Sequence, residues 1–438
     1  MAEAFEVDGT APPPWIRTGL IGALAWGVPV LATVIATPIV IRAIGTREYG
    51  LFVAINGIVL SLASINLARP LTVGLAGDGL GTAAPDGGAA PGRGRGPQAA
   101  TILAWSLVCG LGAAVVVLLA VGAGLGHLLV ATDVASTGAQ VLGLAVVGVV
   151  VLALYNGATG LLPGVHRVGL AAVLVAVAGC ATSAGYVVAA RRWGTASSML
   201  AWLFLVLALG TVAHVGVAHR LGVRVLDRHA LRVDAVRRAW PAMAPFVWAQ
   251  VVGGVVNVLE RVGLARVGGL DELARFAPPQ LLVVAGLGAL GAVVGAMVPR
   301  VARQWADGDV DDLVAWSRRT RLVFGAGAAA AGAAMVAVGP WLLDRWLDGT
   351  IHVSHLDLVP FALWLAAYAV MTPGIALADA TGAPWLNVWL VAAAVVLMAA
   401  VGLPAMAAWG AAGVAVGRAA LLPLVLVHAH LVDRHLRP

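Results

Sequence analysis

The chain has 438 residues, 61% of them apolar and only 11% charged, with a mean hydropathy of +0.95. Soluble domains carry roughly 45–50% apolar and about 25% charged residues, so a water-soluble globule, a disordered chain and a secreted disulfide scaffold are excluded. The formal charge is +6, and all 27 basic residues are arginine; they sit in short loops flanking apolar runs, the pattern of membrane topology and not of nucleic-acid binding.

The first 14 residues, MAEAFEVDGTAPPP, are acidic and proline-rich. The apolar run that follows is too long for a signal-peptide core and is expected to stay as the first transmembrane helix. A helix needs roughly 20 residues to cross a bilayer. Twelve runs meet that length, over 15–41, 50–75, 99–121, 137–162, 169–190, 197–218, 240–266, 274–298, 321–343, 357–378, 384–404 and 408–428. Cys109 and Cys180 lie inside such runs and read as small buried hydrophobes. The expected fold is an all-α polytopic membrane protein. About 12 transmembrane helices form two six-helix bundles, related by a pseudo-two-fold axis along the membrane normal. Its parts are a tail (1–14), an N-lobe (15–218), a basic linker (219–239), a C-lobe (240–428) and a second tail (429–438).

The loops on the side of the N-terminus hold most of the arginines, whereas the other side has Arg42, Arg47, Arg191, Arg192, Arg266, Arg275 and Arg345. The positive-inside rule then places both termini in the cytoplasm. Residues 76–98 form a Gly/Pro-rich loop that lacks the Gly-Lys-Ser/Thr of a P-loop. Residues 219–239, the longest basic stretch, read as a connector obeying the charge rule; the alternative is an interfacial helix holding anionic lipid headgroups.

A short repeat links the two halves. Residues 42–52 read RAIGTREYGLF and residues 266–276 read RVGGLDELARF, so Arg42, Gly45, Glu48 and Phe52 match Arg266, Gly269, Glu272 and Phe276. Six spans separate the copies, which makes the repeat parallel. Two similar bundles around a central cleft can rock and open it to one side at a time.

Charges inside a bilayer cost about 2.5–3.5 kcal/mol each on insertion scales, so the exceptions are informative. The seventh span carries Gln250, Asn257, Glu260 and Arg261. Gln250, Asn257 and Arg261 share one helical face. Glu260 and Arg261 point about 100° apart and should pair with other helices. Two readings stand: the pair snorkels to the interface, or the stripe lines the cleft, with Arg261 meeting an anionic substrate and Glu260 taking a proton or balancing charge. Arg17 opens the first span, Arg69 lies in the last third of the second and Arg418 lies mid-way along the twelfth. Guanidinium groups suit phosphate through parallel charge-assisted bonds, so Arg17, Arg69, Arg261 and Arg418 are the candidate pyrophosphate contacts. Pro29, Pro38, Pro245 and Thr372-Pro373-Gly374 are helix breakers. His352/His355 and His428/His430 have metal-like spacings without a completing ligand, so neither a metal nor a cofactor is assigned. The acidic run WADGDVDDL around Asp307, Asp309, Asp311 and Asp312 reads as a helix cap.

The segment Thr37–Phe52, the acidic–Arg pair Glu260-Arg261 leading into ELARFA (Glu272–Ala277), and VPRVARQWADGD (Val298–Asp309) together resemble polysaccharide-export flippases of the Wzx type. These belong to the multidrug/oligosaccharidyl-lipid/polysaccharide (MOP) exporter superfamily. The resemblance implies two six-helix lobes around a cationic cavity in a bacterial cytoplasmic membrane. It implies a non-enzymatic flippase moving a polyprenyl-pyrophosphate-linked oligosaccharide by alternating access, driven by a proton or sodium gradient. Its partners would be membrane lipids and other polysaccharide-assembly proteins. Two departures matter: the first span has no acidic residue where drug/ion antiporters of the superfamily place one, and Asn66-Leu67-Ala68 stands where relatives read an acidic residue. The alternatives are a drug or metabolite–cation antiporter of the same superfamily, a membrane-embedded glycan ligase or polymerase, and a structural assembly partner.

Overall fold

The computed structural model describes residues 14–63, 96–120, 135–164, 167–223 and 233–437. The helices, in chain order, are α1 (Pro14–Ala63), α2 (Gly96–Ala120), α3 (Ala135–Thr159), α4 (Leu161–Gly164), α5 (Val168–Trp193), α6 (Ala196–Arg220) and α7 (Val233–Ala306). They continue as α8 (Val310–Trp346), α9 (His355–Ala380), α10 (Trp385–Leu397), a π-helical turn (Met398–Gly402), α11 (Leu403–Trp409), α12 (Ala411–Ala419) and α13 (Leu422–Leu436). Among the described residues there is no strand.

Among the described residues, ten helical stretches are long and apolar enough to cross a membrane by length and composition. The two longest, Leu24–Ala63 and Trp240–Gly295, each bend at one glycine. Gly45 has φ 79° and ψ 167°, and Gly269 has φ 74° and ψ −169°. A Cβ is strained at such positive φ, so glycine is what lets each helix fold back as two limbs. The ten stretches thereby become the twelve expected limbs. Large apolar side chains such as Leu31, Leu119, Val212, Leu322 and Trp389 remain exposed on the outer surface, as a lipid-facing surface requires. The chain is a multi-pass membrane protein.

Limb ends depart from the expected ones. The eighth limb runs on to Ala306, past the expected 298, and the ninth starts at Val310, well before 321. Apolar content marks only the part of a helix in hydrocarbon, and both limbs continue through arginine-bearing turns beyond it. The acidic run lies at the start of α8 as expected, with Asp309 at the N-cap and Asp311 and Asp312 in the first turn, but Asp309 makes no side-chain capping bond, and Asp311 accepts from Arg437 at 2.8 Å. Thr372-Pro373-Gly374 does not break α9, which continues to Ala380. Pro38 has a clearer consequence. It has no N–H to offer the carbonyl four residues back, and the Val34 carbonyl instead accepts from Trp346 Nε1 of α8 at 2.9 Å.

The repeat is structural. Glu48 Oε2 accepts from the backbone N–H of Ala196 at 3.0 Å, and Glu272 Oε2 accepts from that of Ala411 at 2.9 Å. Each is the first residue of a helix, α6 or α12, that follows a positive-φ glycine, Gly194 or Gly410. A carboxylate there satisfies an orphan N–H and faces the positive end of the helix dipole. Phe52 then packs edge-on to Tyr186 at 4.9 Å, and Phe276 packs on Phe361 at 5.8 Å.

The two halves meet along α1 and α7. At the end holding the two kinks, Thr46 donates to Asp271 at 2.7 Å, Arg42 pairs with Asp348, and Gly50 lies against the Leu270 carbonyl, which a Cβ would approach to 1.9 Å. Further along, Trp26 of α1 rests on Gly288 of α7, where a Cβ would stand 1.9 Å from its ring.

Candidate functional site

The polar residues of the first limb of α7 turn inward. Glu260 is 1% exposed and Arg261 8%, and Glu260 lies nine residues, about 13 Å, before the kink. Interfacial snorkelling is thereby ruled out for this pair. As expected from their ~100° separation, the neighbours take different partners.

Glu260 meets Arg418, which α12 delivers by close packing. A Cβ at Gly413 would stand 2.2 Å from the Ala405 backbone, and one at Gly417 would stand 2.8 Å from Gly402 Cα. Small residues let the backbones approach, and this fixes the next residue, Arg418, against α7 and α9. Its Nε pairs with Glu260 Oε1. Its Nη1 donates to the Tyr368 hydroxyl at 2.6 Å and its Nη2 to Asn257 Oδ1 at 2.6 Å. The guanidinium lies 5.5 Å from the ring centre of Trp364 and 5.9 Å from that of Tyr368, within cation–π range. One side chain thus ties three helices together. Glu260 Oε2 and Trp364 Nε1 are buried without hydrogen-bond partners.

Arg261 points elsewhere. Its Nη2 donates to Gln280 Oε1 at 2.7 Å, and its guanidinium lies 4.9 Å from the Phe276 ring centre. Phe276 and Trp364 are parallel to within 6°, 6.4 Å apart, so the two arginines rest on two stacked rings. Arg261 Nε and Nη1 are buried without acceptors. Across the seam, Gly57 of α1 leaves the space that Arg261 fills: a Cβ there would stand 2.5 Å from Nε.

Of the candidates from sequence, Asn257, Glu260, Arg261 and Arg418 come together. Arg17 lies in the first turn of α1, and Arg69 lies outside the described residues. Gln250 stands about 15 Å further along α7 from Glu260, so the one-face stripe is divided: Asn257 joins Arg418 while Arg261 turns to Gln280. Tyr368, Trp364, Gln280 and Gly57 have no place in the sequence reading, and Phe276 enters it only as the repeat partner of Phe52. Gln280, a lone amide after Pro278-Pro279 in an apolar run, was the one with a readable signal.

A second buried polar group joins α9, α10 and α13. Asn387 Nδ2 donates to Asp379 Oδ1 at 2.7 Å, and Asn387 Oδ1 lies 3.0 Å from His428 Nε2. His352 pairs with Asp344 at 3.0 Å, and His355 Nδ1 lies 2.7 Å from the Val336 carbonyl. No group of three or more potential metal ligands occurs among the described residues.

The fold these helices build is that of MOP-superfamily transporters. No protein-family model matches the chain, and no curated protein matches it. Solved structures do match. One is an inward-facing multidrug resistance MATE family transporter of the MOP superfamily, with TM-score 0.64, 13% identity, 95% of this chain and 94% of that one covered. A MATE protein in complex with MaL6 gives TM-score 0.65 at 13% identity, covering 96% and 95%. A MOP superfamily transporter from Pyrococcus furiosus gives TM-score 0.65 at 12% identity, covering 97% and 96%; its binding pocket is described as of reverse polarity, suggesting a different function.

Proposed function

We propose that the chain is an alternating-access exporter of the MOP type, an antiporter that exchanges a drug- or metabolite-like solute for a cation. The observation that carries this is the buried Glu260–Arg418 pair, which closes α7, α9 and α12 on one another and leaves one carboxylate oxygen unpartnered. Neutralising Glu260, by a proton or a bound sodium ion, withdraws the counter-charge from Arg418. That loosens the three-helix contact and gives an ion gradient a handle on the shape of the second half. The likeness to MATE structures in both inward- and outward-facing conformations supports the rocking motion. With both termini cytoplasmic, the kinks at Gly45 and Gly269 would face outward.

Reconstitution into liposomes tests this. A proton or sodium gradient should drive accumulation of a reporter solute. Glu260→Gln should abolish the dependence on the gradient while leaving solute binding measurable. Gradient-driven transport that survives Glu260→Gln unchanged would overturn the coupling role.

A second reading, a flippase for a polyprenyl-pyrophosphate-linked oligosaccharide, is favoured by one observation: two guanidiniums, Arg261 and Arg418, are buried in the same region beside one carboxylate, Glu260, which pairs with Arg418. In that reading Arg17 and Arg69 join them on the pyrophosphate. More complete headgroup quenching by an added impermeant quencher, with a defined fluorescent polyprenyl lipid, would favour the flippase. Gradient-driven movement of water-soluble reporters alone would favour the antiporter.

A further inference from the structure

At the kinked end of the molecule, each half has a recess beside a Trp-Gly turn. Trp193-Gly194 and Trp409-Gly410 stand just before the helix starts that Glu48 and Glu272 cap. Both indoles are more than half exposed, at 59% and 63%. Tryptophan so placed at the end of a membrane-spanning bundle marks the headgroup depth of a leaflet. The recess of the first half, about 770 Å³, is walled by groups such as Leu144, Trp202 and Leu205 and has no charged residue in its lining. That of the second half is about 190 Å³, and Glu272, Arg275 and Asp357 line it together with Trp409 and Phe361.

The charges of the second recess are not all spent on one another. Glu272 is fully engaged: Oε1 accepts from Arg275 Nη1 at 2.9 Å, and Oε2 accepts from the Ala411 N–H at 2.9 Å. Asp357 commits only Oδ2, which accepts from the N–H and the hydroxyl of Ser354 at 2.9 and 2.8 Å. Among the described residues its Oδ1 accepts nothing, and Arg275 Nε and Nη2 donate to nothing. A free carboxylate oxygen and free guanidinium donors lining one small space suit a ligand that carries both a cation and an anion. At ~30 Å³ per water, 190 Å³ is room for about six waters, the scale of a two-carbon amine with its phosphate. Asp357 and Phe361 line the recess from α9, and beside them Leu356, Val359 and Leu363 form an exposed apolar stripe along the same helix. Acyl chains have a surface to lie on next to the polar group. Phe361 also packs on Phe276, the ring beneath Arg261, and so divides the recess from the buried arginines.

We infer that this recess is a headgroup site for a phospholipid with a primary ammonium, taken from the leaflet at the kinked end. The phosphate meets Arg275, and the ammonium donates to Asp357 Oδ1. A trimethylated ammonium has no N–H to donate there, and a glycerol headgroup has no cation, so the site selects the ethanolamine type. The inference goes beyond the exporter reading and does not rest on it.

Native mass spectrometry of the full chain released from detergent micelles tests this with three lipids of one acyl composition: phosphatidylethanolamine, phosphatidylcholine and phosphatidylglycerol. The ethanolamine lipid should bind one site about threefold to tenfold more tightly than the choline lipid, the scale of one hydrogen bond to a charged group discounted for partial exposure. Asp357→Asn keeps an acceptor for the Ser354 cap and removes the charge. It should erase that preference and leave the glycerol lipid unchanged. Arg275→Gln should weaken the glycerol lipid, which has only a phosphate to offer. Arg275 is more than half exposed, so its replacement costs little packing, and it decides alone should Asp357→Asn prove unstable. Competition by soluble O-phosphoethanolamine would show that the headgroup suffices; its absence, with the ethanolamine lipid still bound, would show that the acyl chains are needed. Either supports the site. Equal binding of the ethanolamine and choline lipids, a preference that survives Asp357→Asn, or glycerol-lipid binding indifferent to Arg275→Gln would overturn it. No transport is measured, so the exporter reading stands or falls separately.

Discussion

At Gly45 and Gly269 the backbone turns with φ of 79° and 74°, and three residues on, Glu48 and Glu272 each cap a distant helix through a bond of 3.0 or 2.9 Å. Between those shared fixtures the two halves differ in polarity. The positions of Asn257, Glu260 and Arg261 are occupied in the first half by Thr33, Ala36 and Thr37, and Gln280 is answered by Asn56. Thr33 and Thr37 bond their own helix, to the carbonyls of Pro29 at 2.9 Å and Thr33 at 2.8 Å, and Thr33 also meets Ser183 at 3.0 Å. Hydroxyls can satisfy themselves locally in this way. Arg418, Glu260 and Arg261 cannot, and must be met by other helices. The comparison separates a common skeleton of hinges and caps from a charged device confined to the second half.

The largest expected effect falls on that device. Breaking a buried ion pair from one side leaves an uncompensated charge and costs about 3–5 kcal/mol. Arg418→Met should therefore lower stability by that order, measured by unfolding in detergent. Glu260→Leu combined with Arg418→Met should recover most of it, because replacing both charges by apolar groups is near neutral. A double variant no more stable than Arg418→Met alone would mean that the lost packing on Trp364 and Tyr368, and not the charge, dominates.

The shared skeleton predicts matched, smaller effects. Alanine at Gly45 or Gly269 must adopt a positive φ with ψ near ±170°, a region essentially confined to glycine, at about 1–3 kcal/mol. The two variants should cost alike, and a large difference would show that one kink is held by its surroundings. Glu48→Ala and Glu272→Ala should each cost about 1 kcal/mol, the usual loss for a helix cap. Glu272 also holds Arg275 at 2.9 Å, but Arg275 is more than half exposed, so that pair adds little. Stability measured on the four single variants would sharpen or break the parallel between the halves.

Much of this was legible in the chain. Twelve apolar runs of bilayer length marked the limbs, and the repeat that pairs Gly45 with Gly269 and Glu48 with Glu272 marked the positions, though not the roles, of the hinges and caps. Asn257, Glu260, Arg261 and Arg418 stood out because charge and amide groups are rare in such runs. Their partners were not legible. Trp364 and Tyr368 have the same local signature as aromatic residues facing lipid, and what distinguishes them is an arginine 50 or more residues away brought close by glycine-mediated helix packing. Gly57 is silent in sequence, since its role is the volume it leaves for Arg261. Limb lengths were misjudged for a simpler reason: apolar content ends at the hydrocarbon boundary, whereas backbone hydrogen bonding does not.

The smallest expected effect tests the comparison most directly. Thr33→Val removes a hydroxyl that bonds the Pro29 carbonyl and Ser183. The bond to Pro29 is on its own helix, and Ser183 keeps its bond to the Gly179 carbonyl at 3.2 Å. The cost should be about 0.5–1 kcal/mol, that of one ordinary hydrogen bond, with transport unaffected. Asn257→Val, the matching change in the second half, takes an acceptor from Arg418 Nη2 and leaves a donor of a buried cation unpaired, which costs about 1–3 kcal/mol and should slow transport as well. If Thr33→Val proved as damaging to transport as Asn257→Val, the first half would contain a working polar site of its own, and the assignment of the charged chemistry to the second half alone would fail.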